Sequence, residues 1–199
     1  MSSGMKTDGM SPSPGVAAAV LCAGAGSRYD REHPGQKMLA PFRGRPLVFW
    51  AVQHASAVQL EATFVVTGAA DLSGVLPQKI TLVENPDWRD GLATSLQAAV
   101  RAARSEGFEA LVVGLGDQPL ISPDAWRSVA AANAPIAVAT YEGRRRNPVK
   151  LARSVWEDLP VTGDEGARSL MRAHPELVVE VPCHGDPLDI DTPDDLACT

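Results

Sequence analysis

The chain has 199 residues, enough to bury one sizeable core, and carries 24 acidic against 18 basic side chains, a formal charge of −6. That balance argues against a general nucleic-acid surface or an anionic-membrane binder, so a bound anion has to be met by a local cluster of positive charge. The three cysteines, Cys22, Cys183 and Cys198, are odd in number and lack Cys-x-x-Cys spacing, which supports neither a disulfide framework nor a zinc ribbon and predicts a reducing, cytoplasmic setting.

Residues 1–15, rich in Ser, Gly, Pro and Met, have no apolar periodicity and are expected to form a disordered leader to a single domain over 16–199. Residues 16–22 (V-A-A-A-V-L-C) have the length and continuous apolarity of a strand buried on both faces. Ala23, Gly24, Ala25, Gly26 and Ser27 follow, then Arg28 and Lys37. Small residues let backbone N–H groups converge on anionic oxygens, and the Arg and Lys supply the charge a polyphosphate needs. Tyr29 stands where a dinucleotide fingerprint needs its third Gly, and Lys37 lies between Gln36 and Met38, outside the Gly-Lys-Ser/Thr of a P-loop. An ordinary tight turn is the alternative for this loop taken alone.

Further on, 46–58 reads as a helix, 62–67 and 79–83 as strands, 91–104 as a helix, and 109–115 and 135–141 as strands. This order predicts βαβ crossovers and a mostly parallel central sheet with helices on both faces. From Arg144 the pattern changes to a basic run, a short apolar stretch at 148–151, helical segments around 155–159 and 167–174, and 177–181. That part reads as an elaboration laid over the sheet. At 192–196 Thr192 precedes Pro-Asp-Asp, a helix start with Asp194 and Asp195 in its first turn. No stretch approaches the roughly 18 apolar residues of a membrane span.

Chemistry gathers in two places. Gly114-Leu-Gly116-Asp117-Gln118-Pro119 closes the strand at 109–115, and in open parallel sheets ligands collect at the carboxyl ends of strands. A carboxylate facing a phosphate cradle needs a cation between them, and Mg²⁺ prefers one or two carboxylates plus phosphate oxygens. Asp117 is otherwise a turn-former before Pro119. Asp189 and Asp191 lie two apart, so in extended chain they share a face and one of them completes a metal site with Asp117, unless the segment is a solvated acidic turn. Arg144, Arg145 and Arg146 either grip a phosphorylated acceptor or cap a solvated hairpin. Asp164 suits a helix N-cap, Trp50 packing, and Trp88 a pocket wall or a loop anchor. His33, His54, His174 and His184 show no ligand spacing.

The loop L-C-A-G-A-G-S-R…K, N-P-x-W-x-x-G-x-x-x-S-L at 85–96, G-D-Q-P at 116–119, R-N-P-V at 146–149, G-D-E-G-A-R at 163–168 and D-I-D-T-P-D-D-L near the end together resemble the MobA-like nucleotidyltransferases, closest to the molybdenum cofactor cytidylyltransferase branch. The resemblance covers 16–196 and implies a Rossmann-like nucleotidyltransferase fold and Mg²⁺ dependence. It further implies transfer of a nucleoside monophosphate from an NTP to a phosphorylated acceptor, molybdopterin, with a molybdoenzyme as client of the product. Carried onto these positions, Leu21, Cys22, Ala23, Gly24, Gly26, Ser27 and Arg28 would hold base and triphosphate, and Lys37 the phosphates. Asn85 and Ser95 would lie by base and ribose, Gly116 and Asp117 would close the nucleotide site, and Asp117 with Asp191 would bind the metal. Arg146, Asn147 and Arg168 would meet the acceptor, while Arg28, Lys37 and Asp117 would carry the chemistry. Ala23 resembles the residue of CTP users, where Gly marks GTP users. The sequence departs from the family at Tyr29-Asp30, which replaces Met-Gly, and in the nine-residue step from Arg28 to Lys37. Another phosphorylated acceptor, or a non-catalytic cofactor carrier, are the alternative readings.

Overall fold

A computed structural model describes residues 15–30 and 32–197. The leader expected over 1–15 lies outside the described residues except for Gly15, whose carbonyl accepts from Glu109 N and Ala110 N at 2.9 and 3.3 Å. In chain order the elements are β1 (Val16–Leu21), α1 (Gln36–Leu39), β2 (Pro41–Phe42), β3 (Arg45–Pro46), α2 (Leu47–Ser56), β4 (Ala62–Thr67) and β5 (Thr81–Glu84). They continue with α3 (Leu92–Ser105), β6 (Ala110–Leu115), α4 (Pro123–Ala131), β7 (Ile136–Tyr141), β8 (Arg144–Ala152), α5 (Arg168–Ala173), β9 (Val178–Pro182) and α6 (Pro193–Ala197).

Seven strands form one sheet in the order β5-β4-β1-β6-β8-β7-β9. β1 pairs in parallel with β4 and β6, β4 with β5, and β7 with β9. β8 alone runs antiparallel, between β6 and β7. β1 shows why residues this small suit a central strand: Ala17, Ala19 and Leu21 pack into the core under α3 and α5, while Ala18, Val20 and Cys22 pack into the core under α2 and α4. Alternation at period two thus fills both layers from one strand. After β1 the chain adds β4 and β5 on one side, then crosses through α3 to β6 on the other. The crevice at the carboxyl ends of β1 and β6 is therefore a topological switch point, where open α/β sheets bind ligands.

The elaboration expected from Arg144 onward is instead structural. β8 is a central strand, with Val113 opposite Val149 and Leu111 opposite Leu151 across to β6. Its hairpin with β7 turns at Glu142 and Gly143, both at positive φ (51° and 74°), the geometry whose twist matches the flanking strands. Three consecutive arginines mask the strand signal because its first residues are exposed and only the later ones reach the core. The segment 177–181, given no conformation from sequence, overlaps the edge strand β9 at Val178–Pro182. α4 was not anticipated, although Ser122-Pro123-Asp124 is a helix start: Ser122 caps it, accepting from Ala125 N. Among the described residues no helix is long and apolar enough to cross a membrane.

Candidate active site

The loop leaving β1 stays tied to the sheet on both sides: Cys22 N donates to Val66 O at 2.9 Å, and Gly116 N to Leu21 O at 3.0 Å. Beyond it, among the described residues, no carbonyl accepts from the N–H groups of Gly24, Ala25, Gly26 or Ser27, so these donors remain for a ligand. Gly26 is required twice over. Its φ is 65°, and a Cβ there would come within 2.8 Å of Lys37 Cβ. Gly116 is required by contact alone, since a Cβ would stand 2.6 Å from Cys22 Sγ. Cys22 is buried, and that burial, with the charge of Asp117, pushes its thiol well above the ordinary range, which makes it a packing residue and not a nucleophile.

Lys37, on α1, is 6 % exposed. Its Nζ donates to Asp117 Oδ2 at 2.6 Å and to Asp191 Oδ1 at 3.1 Å. Arg28 Nη1 meets the other oxygen of Asp191 at 2.8 Å, with the Arg side chain 77 % exposed. Burial alone would lower the ammonium, but the charges and hydrogen bonds of Asp117 and Asp191 outweigh it and hold Lys37 above its ordinary value. Two of the residues expected at the metal thus converge on one cation, 154 positions apart in sequence for Lys37 and Asp191.

Asp191 is placed by its neighbours. Ile190 N donates to Asp117 O at 2.9 Å, and Ile190 is fully buried with Phe42 and Leu47. Asp195 then accepts from Asp191 N, Thr192 N and Thr192 Oγ1, while Asp195 N reaches back to Thr192 Oγ1. This reciprocal cap, legible in Thr-Pro-Asp-Asp, fixes the carboxylate's backbone. Asp189 points elsewhere and accepts from Gln118 Nε2 at 2.7 Å. Partial enclosure, then the charge of Asp117, raise the Asp189 carboxyl above its usual range.

Two cavities lie along the loops after β1 and β6 and share Leu21 and Leu92 as a common wall. The smaller, about 400 Å³, is lined by Ala23, Gly24, Ala25 and Ser27 on one side and by Trp88, Gly91 and Ser95 on the other. Arg89 stacks on Trp88 with its guanidinium 4.2 Å from the ring centroid. Asn85 does not line this cavity; it is buried and donates to Thr94 Oγ1 and Ser95 Oγ at 2.9 and 3.0 Å, reaching the cavity only through Ser95. Asp164 caps a helix other than the expected one, accepting from Leu92 N at the start of α3.

The larger cavity, about 500 Å³, has an apolar floor of Leu96, Val113, Val149 and Met171 and a rim of Arg145, Arg146, Arg168 and Arg172. Arg145 is engaged by Glu180 at 2.8 Å and Arg172 by Glu165. Among the described residues Arg146 and Arg168 have no carboxylate partner, so their charge is left for an anion. Asn147 reaches into the same space because the register between β7 and β8 shifts at Val138/Ala139, a bulge that re-aims a side chain. Its Nδ2 donates to Gln118 Oε1 at 2.8 Å. Gln118 was passed over in the sequence because a lone Gln beside Asp117 carries no charge signal, and Arg172 because its spacing from Arg168 shows only once α5 is folded.

The residues fit a divalent cation. Asp117 and Asp191 already share one cationic group, and Asp117 Oδ1 is buried with no hydrogen-bond partner among the described residues, a costly arrangement that an ion would relieve.

Residues 18–178 match the MobA-like NTP transferase domain. The chain is 30 % identical over 195 residues to nicotine blue oxidoreductase of Paenarthrobacter nicotinovorans, covering 90 % of this chain and 93 % of the relative. It is 29 % identical to the purine catabolism protein PucB of Bacillus subtilis, covering 92 % and 95 %. Among solved structures, Rv0371c of Mycobacterium tuberculosis superposes with a TM-score of 0.78 at 25 % identity, covering 93 % of this chain and 97 % of that one. A manganese complex of the same protein superposes at 0.71. With a loop of free N–H donors, a shared carboxylate pair and this match over most of its length, the chain belongs to the MobA-like NTP transferase family of nucleotidyltransferases.

Proposed function

We propose that the protein transfers CMP from CTP to the terminal phosphate of molybdenum-loaded molybdopterin and releases pyrophosphate, with Mg²⁺ as cofactor. The observation that carries this reading is the Asp117–Lys37–Asp191 cluster, supported by two adjoining cavities, one shaped by small residues for a nucleotide, the other lined by Gln118, Asp189 and the carboxylate-free Arg146 and Arg168 for a phosphorylated acceptor. The acceptor oxygen is already ionised, so no side chain has to take a proton. It bonds to the α-phosphorus as the bond from that phosphorus to the bridging oxygen breaks, and pyrophosphate departs with the electron pair. Lys37, Arg28 and the loop N–H groups stabilise the charge gathering on the leaving group. Asp117 and Asp191 would hold Mg²⁺, which when bound would supply Lewis-acid charge. Ala23, with its Cβ in the wall beside Gly68, supports CTP as the base donor through the family resemblance.

The name of the P. nicotinovorans relative assigns redox chemistry to that protein; here Tyr29 breaks the dinucleotide fingerprint, and the two facing cavities favour group transfer. The test is pyrophosphate release by purified protein with Mg²⁺ and each of CTP, GTP, ATP and UTP, with and without the loaded pterin, alongside Asp117→Asn. The expected result is CTP-selective, pterin-dependent release that falls by about 100-fold or more in the variant while Tm moves by only a few degrees. Nucleotide binding without release under all conditions would favour a carrier. Release that needs a different acceptor would move the protein to another branch.

A further inference from the structure

Resting on the acceptor reading above, we propose that Asp189 and Asn147 select the acceptor by accepting hydrogen bonds from adjacent N–H groups on the edge of a flat ring, with Gln118 as the residue that positions them. The direction of the network fixes what it offers. An ionised Asp189 can only accept, so Gln118 must turn its Nε2 toward it, at 2.7 Å. That leaves Gln118 Oε1 facing Asn147, which donates through Nδ2 at 2.8 Å. Gln118 is 2 % exposed, and its order of donor and acceptor is set by these two partners.

The consequence falls at the two ends of the chain of bonds. Asn147 Oδ1 and the second oxygen of Asp189 find no donor among the described residues, and both residues line the larger cavity. At this wall the two free oxygens can only accept, beside the second N–H of Asn147 Nδ2. The cavity floor is apolar, and Arg146 and Arg168 supply unpaired positive charge elsewhere on its lining. The complementary ligand is a flat ring with N–H donors on one edge and an anion on the arm that leaves it. A 2-amino-4-oxo pyrimidine edge, as in a pterin, presents an amino group beside a ring N–H. The 2-oxo analogue puts an oxygen where the amino group was, against an acceptor. A site built to pair with a donor rejects an analogue lacking it far more strongly than an apolar pocket rejects a change of size.

The experiment is a fluorescence titration of the full chain, with Mg²⁺ and CTP present, using as probes 6-hydroxymethylpterin and 6-hydroxymethyllumazine, which exchange the 2-amino group for a 2-oxo group and thereby place a hydrogen on N1. The wild type is expected to prefer the pterin by about tenfold or more. Asp189→Asn places a donor at the wall, and the preference should fall to parity or invert; Asp189→Ala should abolish it. In turnover assays Asp189→Asn should raise KM for the pterin acceptor without raising KM for CTP, a split that a purely structural role would not produce. An unchanged probe ratio in both variants overturns the proposal. So does pterin-dependent pyrophosphate release by a wild type that does not distinguish the two probes, a result that would leave the transferase reading standing. Absence of pterin-dependent release with every nucleotide removes that reading and this inference with it.

Discussion

Lys37 depends on a neighbour that has no side chain. Gly26 holds φ at 65° with its Cα hydrogens facing Lys37 Cβ, so the loop that gathers N–H donors and the lysine that bridges the carboxylates are packed on each other. Gly26→Ala puts a Cβ into a left-handed backbone, at about 1–2 kcal/mol, and into the 2.8 Å approach. The backbone then has to move, and displacements of about 1 Å near reacting atoms cost on the order of 100-fold in rate. Turnover should fall by about that factor with Tm lower by only a few degrees; unchanged turnover would separate this loop from the phosphates. At this scale the sequence was informative where a residue carries charge, as at Arg28, Lys37, Asp117 and Asp191, which the fold brings together. It left Asp189 and Asp191 equivalent, because they share a strand-like face. Only the folded contacts of Ile190 with Asp117 O and of Asp195 with Asp191 N turn one toward Lys37 and leave the other with Gln118.

The elements show the reverse balance. β1, β4, α3 and β6 were legible within a residue or two at most ends because continuous apolar runs and a long helical stripe report directly on burial. β8 was not, because the polar start of a strand looks like a surface tip. Two substitutions distinguish these descriptions. Leu151 is fully buried opposite Leu111, and Leu151→Ala should cost about 2–5 kcal/mol in a denaturant titration, whereas Arg144→Ser at the exposed end should change stability by no more than about 0.5 kcal/mol. Equal effects would return this segment to the surface. β8 also closes the end of α4, since Lys150 Nζ donates to Ala130 O and Ala132 O at 3.1 and 2.7 Å. Desolvation by burial holds Lys150 below its ordinary 10.5. For a base whose folded value is depressed, the unfolded chain binds more protons across the interval up to 10.5, so stability rises with pH there. The wild type should therefore gain stability relative to Lys150→Met as pH climbs toward 10.5. A relative loss over that range, measured by urea titration at stepped pH, would mean that the contact to the helix end outweighs the burial of the charge.

For the molecule as a whole, the parallel sheet and its switch point follow from the order of strands and helices, and the site follows from the switch point: the loops after β1 and β6 have to meet because β1 and β6 are neighbours. The second cavity was less accessible to sequence reading, since its lining is drawn from β1, α3, β6, β7, β8, α5 and the segment before α6, elements spread along the chain that carry no common period. Ligand binding offers a measurement on the same scale. A nucleotide that binds only the folded chain stabilises it by about 2.7 kcal/mol at a hundredfold excess over Kd, and a chain of this size shifts by about 2–4 °C per kcal/mol, so a rise of about 5–11 °C is expected for the preferred nucleotide with Mg²⁺. If Ala23 sets the base, CTP should produce that rise and GTP at the same concentration much less, and Ala23→Gly should narrow the gap by freeing space next to Gly68, where Ala23 packs so closely that a Cβ on Gly68 would come within 2.8 Å of it. A GTP shift equal to that of CTP in the wild type would take base selection away from Ala23. It would then pass to Trp88 and Ser95, which line the facing wall of the same cavity.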